Sequence, residues 1–254
     1  TPRLKAEGAH DAAAKRYTLT LTQTLAPTVY EARLAEAGIV ADGGPLHIPV
    51  AVGLVLPDGS DACPTRVLSL MQSSQSFVFE GIAQPPVASI LRGFSAPVHL
   101  DFDQTDAELA HLMAHDSDPF NRWEAGQRLA TRVLLAGIAA GGHGDTWIPP
   151  SLVAAYARVL ADGRHDPAFA AEALALPAEQ VLAEEVVAGG GVIDPEAIHL
   201  ARLNLRRHLA TELRATFEST WQALAPNEPY APDGAQVGRR ALRNACLAYL
   251  ADAD

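Results

Sequence analysis

The sequence predicts an immunoglobulin-like β-sandwich followed by an all-α, multi-helix domain. Three observations predict it. Up to Asp103 the apolar residues fall in short alternating segments cut by Gly and Pro, as half-buried antiparallel strands require. Beyond Asp103 the spacing becomes helical, and there the helix starts are well marked.

The chain of 254 residues is long enough for two domains, and we place them at 1–103 and 104–254. In the first, Tyr17, Leu19 and Leu21 alternate with Thr18, Thr20 and Thr22, so large apolar groups share one face and hydroxyls the other. His47 to Leu56, Arg66 to Leu70, Gln75 to Glu80 and Val98 to Asp103 repeat the theme. Pro57-Asp58-Gly59, Cys63-Pro64 and Gln84-Pro85-Pro86 supply turns between them. The pattern amounts to about seven strands.

The second domain opens on Thr105-Asp106-Ala107-Glu108, a capping box in which hydroxyl and carboxylate each take a backbone N–H. Asp118-Pro119, Asp166-Pro167 and Asp194-Pro195 each pair an N-cap carboxylate with proline at the first helical position. Leu205, Leu209, Leu213, Phe217 and Trp221 recur every fourth residue, which predicts one long helix from Pro195 to about Leu224. The pattern amounts to about six or seven helices.

Charge and composition narrow the function. The net charge is −11, with hydrophobic residues at 48%, a balance that supports a packed core and repels phosphate backbones and anionic lipid. Residues 1–103 carry 7 basic and 10 acidic groups, and residues 104–254 carry 12 and 20. Neither nucleic acid nor a membrane is an expected partner. Cys63 and Cys246 form no C-x-x-C, so neither a disulfide framework nor a thiolate zinc site is expected, and a reducing cytoplasm fits. The longest apolar runs fall short of the roughly 20 residues a bilayer demands. The chain opens on Thr1-Pro2 and closes inside a helical pattern, so both ends read as cut.

Candidate chemistry is sparse. His111 and His115 stand at i and i+4 on one helix face, the spacing of a zinc-protease grip, but Leu112 occupies the position of the activating glutamate. They read as surface histidines. In Asp118-Pro119-Phe120-Asn121-Arg122-Trp123-Glu124, Asp118 is expected to cap, Phe120 and Trp123 to face the core, and Arg122 and Glu124 to pair with neighbouring helices. Arg202, Arg206, Arg207 and His208, and likewise Arg239, Arg240 and Arg243, could enclose a carboxylate, with interhelical ion pairs as the default. Gly141-Gly142-His143-Gly144 and Gly189-Gly190-Gly191 follow helices and read as stops, not phosphate loops. Gly93-Phe94-Ser95 lacks the second glycine of a nucleophile elbow. Asp101 and Asp103 share a strand face and are expected to cap or bridge at its end. No catalytic, cofactor-binding or metal-ligating residue is assigned.

His47-Ile48-Pro49, Ser76 to Phe79, Leu91-Arg92-Gly93-Phe94-Ser95-Ala96-Pro97-Val98, Asp118 to Ala125 and Leu242 to Leu247 together resemble the bacterial aminopeptidase N family of zinc metallo-aminopeptidases, in the right order and over essentially the whole chain. That resemblance implies a small β-sandwich and then a large helical domain that closes over the catalytic cavity. The family's H-E-x-x-H grip, its distal glutamate ligand and its G-A-M-E-N strand belong to a preceding domain, and neither written motif occurs in this sequence. The resemblance therefore implies a non-catalytic scaffold and lid, with zinc only in the longer protein. Its implied partners are the upstream catalytic domain, the remainder of the helical domain, and peptides. An independent peptide- or protein-binding module, with a groove along Trp123, Tyr156 or Trp221, is the alternative; a stand-alone hydrolase using His111 and His115 ranks third. The terminal helix is expected to turn Leu242, Leu247 and Leu250 toward partners outside this segment.

Overall fold

The structure, a computed structural model, describes residues 1–25, 33, 44–226 and 229–253. The chain divides into two compact units, Thr1–Glu108 with His115–Asn121, and Leu109–Ala114 with Arg122–Asp254.

The first unit holds strands β1 (Arg3–Asp11), β2 (Arg16–Thr24), β3 (Ile48–Val55), β4 (Arg66–Leu70), β5 (Ser74–Glu80), β6 (Val87–Ile90) and β7 (His99–Phe102). They form two sheets, ordered β5-β2-β1-β7 and β4-β3-β6. Alternation decides what each strand buries. Leu4 and Ala6 from β1, Tyr17, Leu19 and Leu21 from β2, and Val50, Val52 and Leu54 from β3 enter one shared core, while Thr20 and Thr22 face outward and bond Ser76 and Ser74 across the sheet at 2.9 Å. Central strand β3 is buried at every position but Pro49. One pairing departs from the expected antiparallel pattern. β1 and β7 run parallel, with Arg3 opposite His99 and Ala6 opposite Phe102, because the chain returns to that edge from the second sheet rather than through a hairpin. Strand β6, directly after Pro85-Pro86, is short and buried, so no alternation betrays it in sequence.

After residue 103 the helices are α1 (Asp106–His115), α2 (Pro119–Ala139), α3 (Pro150–Asp162), α4 (Pro167–Ala173), α5 (Glu179–Ala188), α6 (Pro195–Glu212), α7 (Arg214–Ala223) and α8 (Gly234–Leu250). All the start signals work as local chemistry demands. Thr105 and Glu108 exchange bonds, with Glu108 N–H donating to Thr105 Oγ1 at 3.2 Å and Thr105 N–H to Glu108 Oε2 at 2.7 Å. Asp118 accepts from Asn121 N–H at 2.9 Å, Asp166 from Phe169 N–H at 3.0 Å, and Asp194 from Glu196 and Ala197 N–H. Asp233 caps α8 through Gln236 N–H at 2.9 Å.

The long helix expected from Pro195 to Leu224 is two. Leu213 leaves helical geometry at φ −109° and ψ 15°, although Leu213 N–H still donates to Leu209 and Phe217 N–H to Leu213. The kink keeps Leu205, Leu209, Leu213 and Phe217 buried; Trp221, past it, is only partly so. Neither proline nor glycine marks the break, so packing sets it. Tyr249 of α8 stacks on Phe217 with centroids 4.7 Å apart and donates its hydroxyl to Leu174 O at 2.7 Å. On the same helix Leu242 is fully buried, whereas Leu247 is half exposed and Leu250 partly buried.

Candidate functional site

In the sandwich unit, chemistry-bearing side chains converge on Arg92. It sits in the single turn Arg92–Phe94 that follows β6, its side chain is 3% exposed, and all five of its N–H donors are engaged. Nη2 donates to Asp61 Oδ1 at 2.7 Å and to Asp116 Oδ1 at 2.8 Å. Nη1 donates to Thr65 Oγ1 at 2.9 Å and Asp61 Oδ2 at 3.2 Å, and Nε to Ser89 Oγ at 3.0 Å. Asn121 donates to Ser89 Oγ and Ile90 O, both at 2.8 Å. Gly53 is required beneath it, since a Cβ there would stand 1.9 Å from the guanidinium carbon.

The carboxylates divide unequally. Burial raises Asp61, but the Arg92 and Ser117 bonds outweigh it and hold its carboxyl below the ordinary range. Asp116 has a fully buried side chain; desolvation pushes its carboxyl up, against bonds from Ser89 and the Asp118 N–H and the charge of Arg92.

This network holds a strained backbone. Leu91, Gly93 and Phe94 all have positive φ, at 66°, 62° and 52°, and Asp118 Oδ2 accepts the Gly93 N–H at 2.9 Å. The strain presents Phe94, 60% exposed, edge-on to Phe120, 38% exposed, with centroids 5.4 Å apart. Phe120 is therefore not the core residue its spacing suggested, because the core beneath is filled by Asn121 and its polar partners. Ser95 Oγ accepts the Ala51 N–H at 2.9 Å and is occupied structurally. Asp101 lies opposite Lys5 across the β1/β7 pair, and Asp103 borders a cavity of about 390 Å³ beside Glu7, Glu108 and Tyr17.

Within the helical unit, Arg122 pairs with Asp162 at 2.9 Å and donates to Met113 O at 2.8 Å, as expected of it. Glu124 is drawn up by burial, against the opposing charge of Arg128. Arg202 pairs with Glu179 at 3.7 Å and Arg206 with Asp252. Arg240 and Arg243 behave differently. They bond main-chain carbonyls and lie over the rings of Tyr230 and Trp221. Tyr156 is fully buried. Gly141 and Gly142, both at positive φ, end α2, and the glycines at 189–191 end α5.

His111 and His115 share α1, and the His115 ring lies against Gly59. Among the described residues no group of three or more His, Cys, Asp or Glu is arranged to hold a metal ion. Both cysteines are free, and burial raises the Cys246 thiol to about 11. Among the described residues no helix is long and apolar enough to cross a membrane.

Residues 1–103 match the family model described as a domain of unknown function (DUF3458) with an Ig-like fold, and residues 106–254 match its companion (DUF3458_C), described as ARM repeats. The chain belongs to the DUF3458 family. Its sandwich-then-helices architecture is that of the two matched domains.

Aminopeptidase N of Escherichia coli is 35% identical over 259 residues, covering 99% of this chain and 28% of that protein. Aminopeptidase N of Caulobacter vibrioides is 40% identical over 200 residues, covering 79% and 22%. The crystal structure of Legionella pneumophila aminopeptidase A in complex with aspartic acid superposes with a TM-score of 0.78 at 25% identity, covering all of this chain and 28% of that one. This DUF3458 chain thus spans 22–28% of the length of these relatives, and the likeness to aminopeptidase N read from the sequence strings holds across the chain.

Proposed function

We propose that this chain is the non-catalytic scaffold and lid of a zinc-dependent aminopeptidase. One observation carries the reading: 99% of the chain aligns with only 28% of an aminopeptidase N, while its described residues contain no cluster able to bind a metal. The sandwich is a stiff spacer, because its two sheets share one hydrophobic core. Helices carried on such a spacer can restrict a neighbouring cavity to small peptides. The partners under this reading are the catalytic portion of the same polypeptide, the remaining helices of the domain, and peptides in transit. The cytoplasm is the proposed location, on the two unpaired cysteines. An acidic helical wall attracts peptide amino termini weakly, over a Debye length of about 8 Å.

The test has two arms. The purified chain is expected to hold no stoichiometric zinc and to leave an alanyl aminopeptidase substrate intact; bound zinc with turnover would overturn the reading. The catalytic portion of the longer protein is expected to lose size selectivity without this segment and regain it when rejoined, and unchanged activity and selectivity alone would count against a lid.

A further inference from the structure

We propose that the helical unit carries a binding site for an organic carboxylate, built on one face of α8. The site does not depend on the aminopeptidase reading. Gln236, Arg240 and Arg243, at i, i+4 and i+7, line a cavity of about 270 Å³ together with Arg239.

The two guanidiniums are preorganised, and among the described residues neither forms an ion pair. Arg240 lies 4.8 Å from the centroid of the Tyr230 ring, and its Nη1 donates to Gln236 Oε1 at 3.1 Å and Ala231 O at 3.3 Å. Gln236 is itself fixed, donating to Pro229 O and accepting from Ala231 N–H, both at 2.9 Å. Arg243 lies 4.3 Å from the Trp221 ring centroid, with Nε on Trp221 O at 3.3 Å. These bonds leave Nη2 and Nε of Arg240 and both terminal nitrogens of Arg243 without a partner among the described residues. Neither arginine forms an ion pair there, although Arg122, Arg158, Arg202, Arg206 and Arg214 of the same unit all do. In a chain of net charge −11, two arginines that form no ion pair with the described carboxylates offer a place for an anion brought from outside.

The lining selects the class of anion. A planar guanidinium fork matches a carboxylate or phosphate equally well. The cavity exceeds a bare ion, however, and Leu224, Pro226 and the Tyr230 ring add an apolar wall while Asn244 adds an amide. An organic body with amide groups fits there. The acidic field of the chain disfavours multiply charged polyanions. The ligand is therefore a singly charged carboxylate on a short peptide-like body, supplied either as a peptide's terminal carboxylate or as an Asp or Glu side chain.

The experiment is an NMR titration of the 254-residue chain, following the side-chain Nε–H signals of Arg240 and Arg243. The probes are N-acetyl-Ala-Leu, its C-terminal amide, N-acetyl-Asp-Leu amide and inorganic phosphate. Saturable shifts with either carboxylate probe and none with the neutral amide are expected, and which acid binds more tightly identifies the source. Binding should weaken at least tenfold in Arg243→Gln and Arg240→Gln, whose amide spectra remain folded, and should be unchanged in Arg158→Gln. Equal shifts with acid and amide, phosphate binding more tightly than both acids, no saturation by either acid, or unaltered affinity in both arginine variants would overturn the proposal.

Discussion

Arg92 in the sandwich and Arg243 in the helical unit are the same side chain put to opposite uses. Arg92 is 3% exposed and spends every donor on its own chain, two carboxylates included. Arg243 is half-buried against an indole and, among the described residues, donates once, to a carbonyl. Burial with full pairing makes a structural centre, since removing one partner strands a charge where water cannot reach it. Stacking without a counter-charge fixes the guanidinium and leaves its hydrogen-bonding edge available.

The largest effect that tests this contrast is Arg92→Met. It leaves Asp116 buried without its cation and should destabilise the sandwich by roughly 3–5 kcal/mol, read as faster hydrogen exchange at the Val50–Leu54 amides. A loss below about 1 kcal/mol would erase the distinction between the two arginines. Gly53→Ala comes next. Its Cβ would meet the guanidinium at 1.9 Å, forcing Arg92 aside at about 1–3 kcal/mol, by the same measurement.

The pH dependence sharpens the comparison within the network. Asp116 has a raised folded pKa, so it contributes stability in acid that is lost as pH rises from near 3.8 through that raised value. Asp61, lowered in the folded chain, contributes stability above its unfolded pKa that is lost as pH falls. Asp116→Asn removes the first contribution alone. Its melting temperature, measured against wild type across the acid range, should gain on wild type as pH rises; a constant offset would refute the raised pKa. The smallest expected effect is Arg243→Gln, which should cost under about 1 kcal/mol by urea denaturation because its contacts are partly solvated. A cost equal to that of Arg92→Met would make Arg243 structural too.

How far the sequence could be read depended on the range of the interaction. The Asp-Pro pairs and the Thr105–Glu108 box announced helix starts because donor and acceptor lie within three residues. Alternation in β2 declared its buried face because side chains on a strand change sides at each step. The Arg239, Arg240 and Arg243 group was visible as a candidate, but nothing local said which arginines would pair with acids. Arg92 and Asn121 stood in the strings that resemble aminopeptidase N, but nothing local marked them as one centre, since Asp61, Ser89, Asp116 and Asn121 come from separate segments that meet only after folding.

By itself, then, the sequence determined the two-part architecture, the strand faces and the capped helix starts. Those rest on periodicity and on contacts a few residues long. The tertiary structure alone decided the parallel β1/β7 pair, the kink at Leu213, the exposure of Phe120, and which arginines are neutralised and which are held over aromatic rings. Each of these depends on what a distant segment brings alongside, and free energy of that kind appears only when the chain has packed.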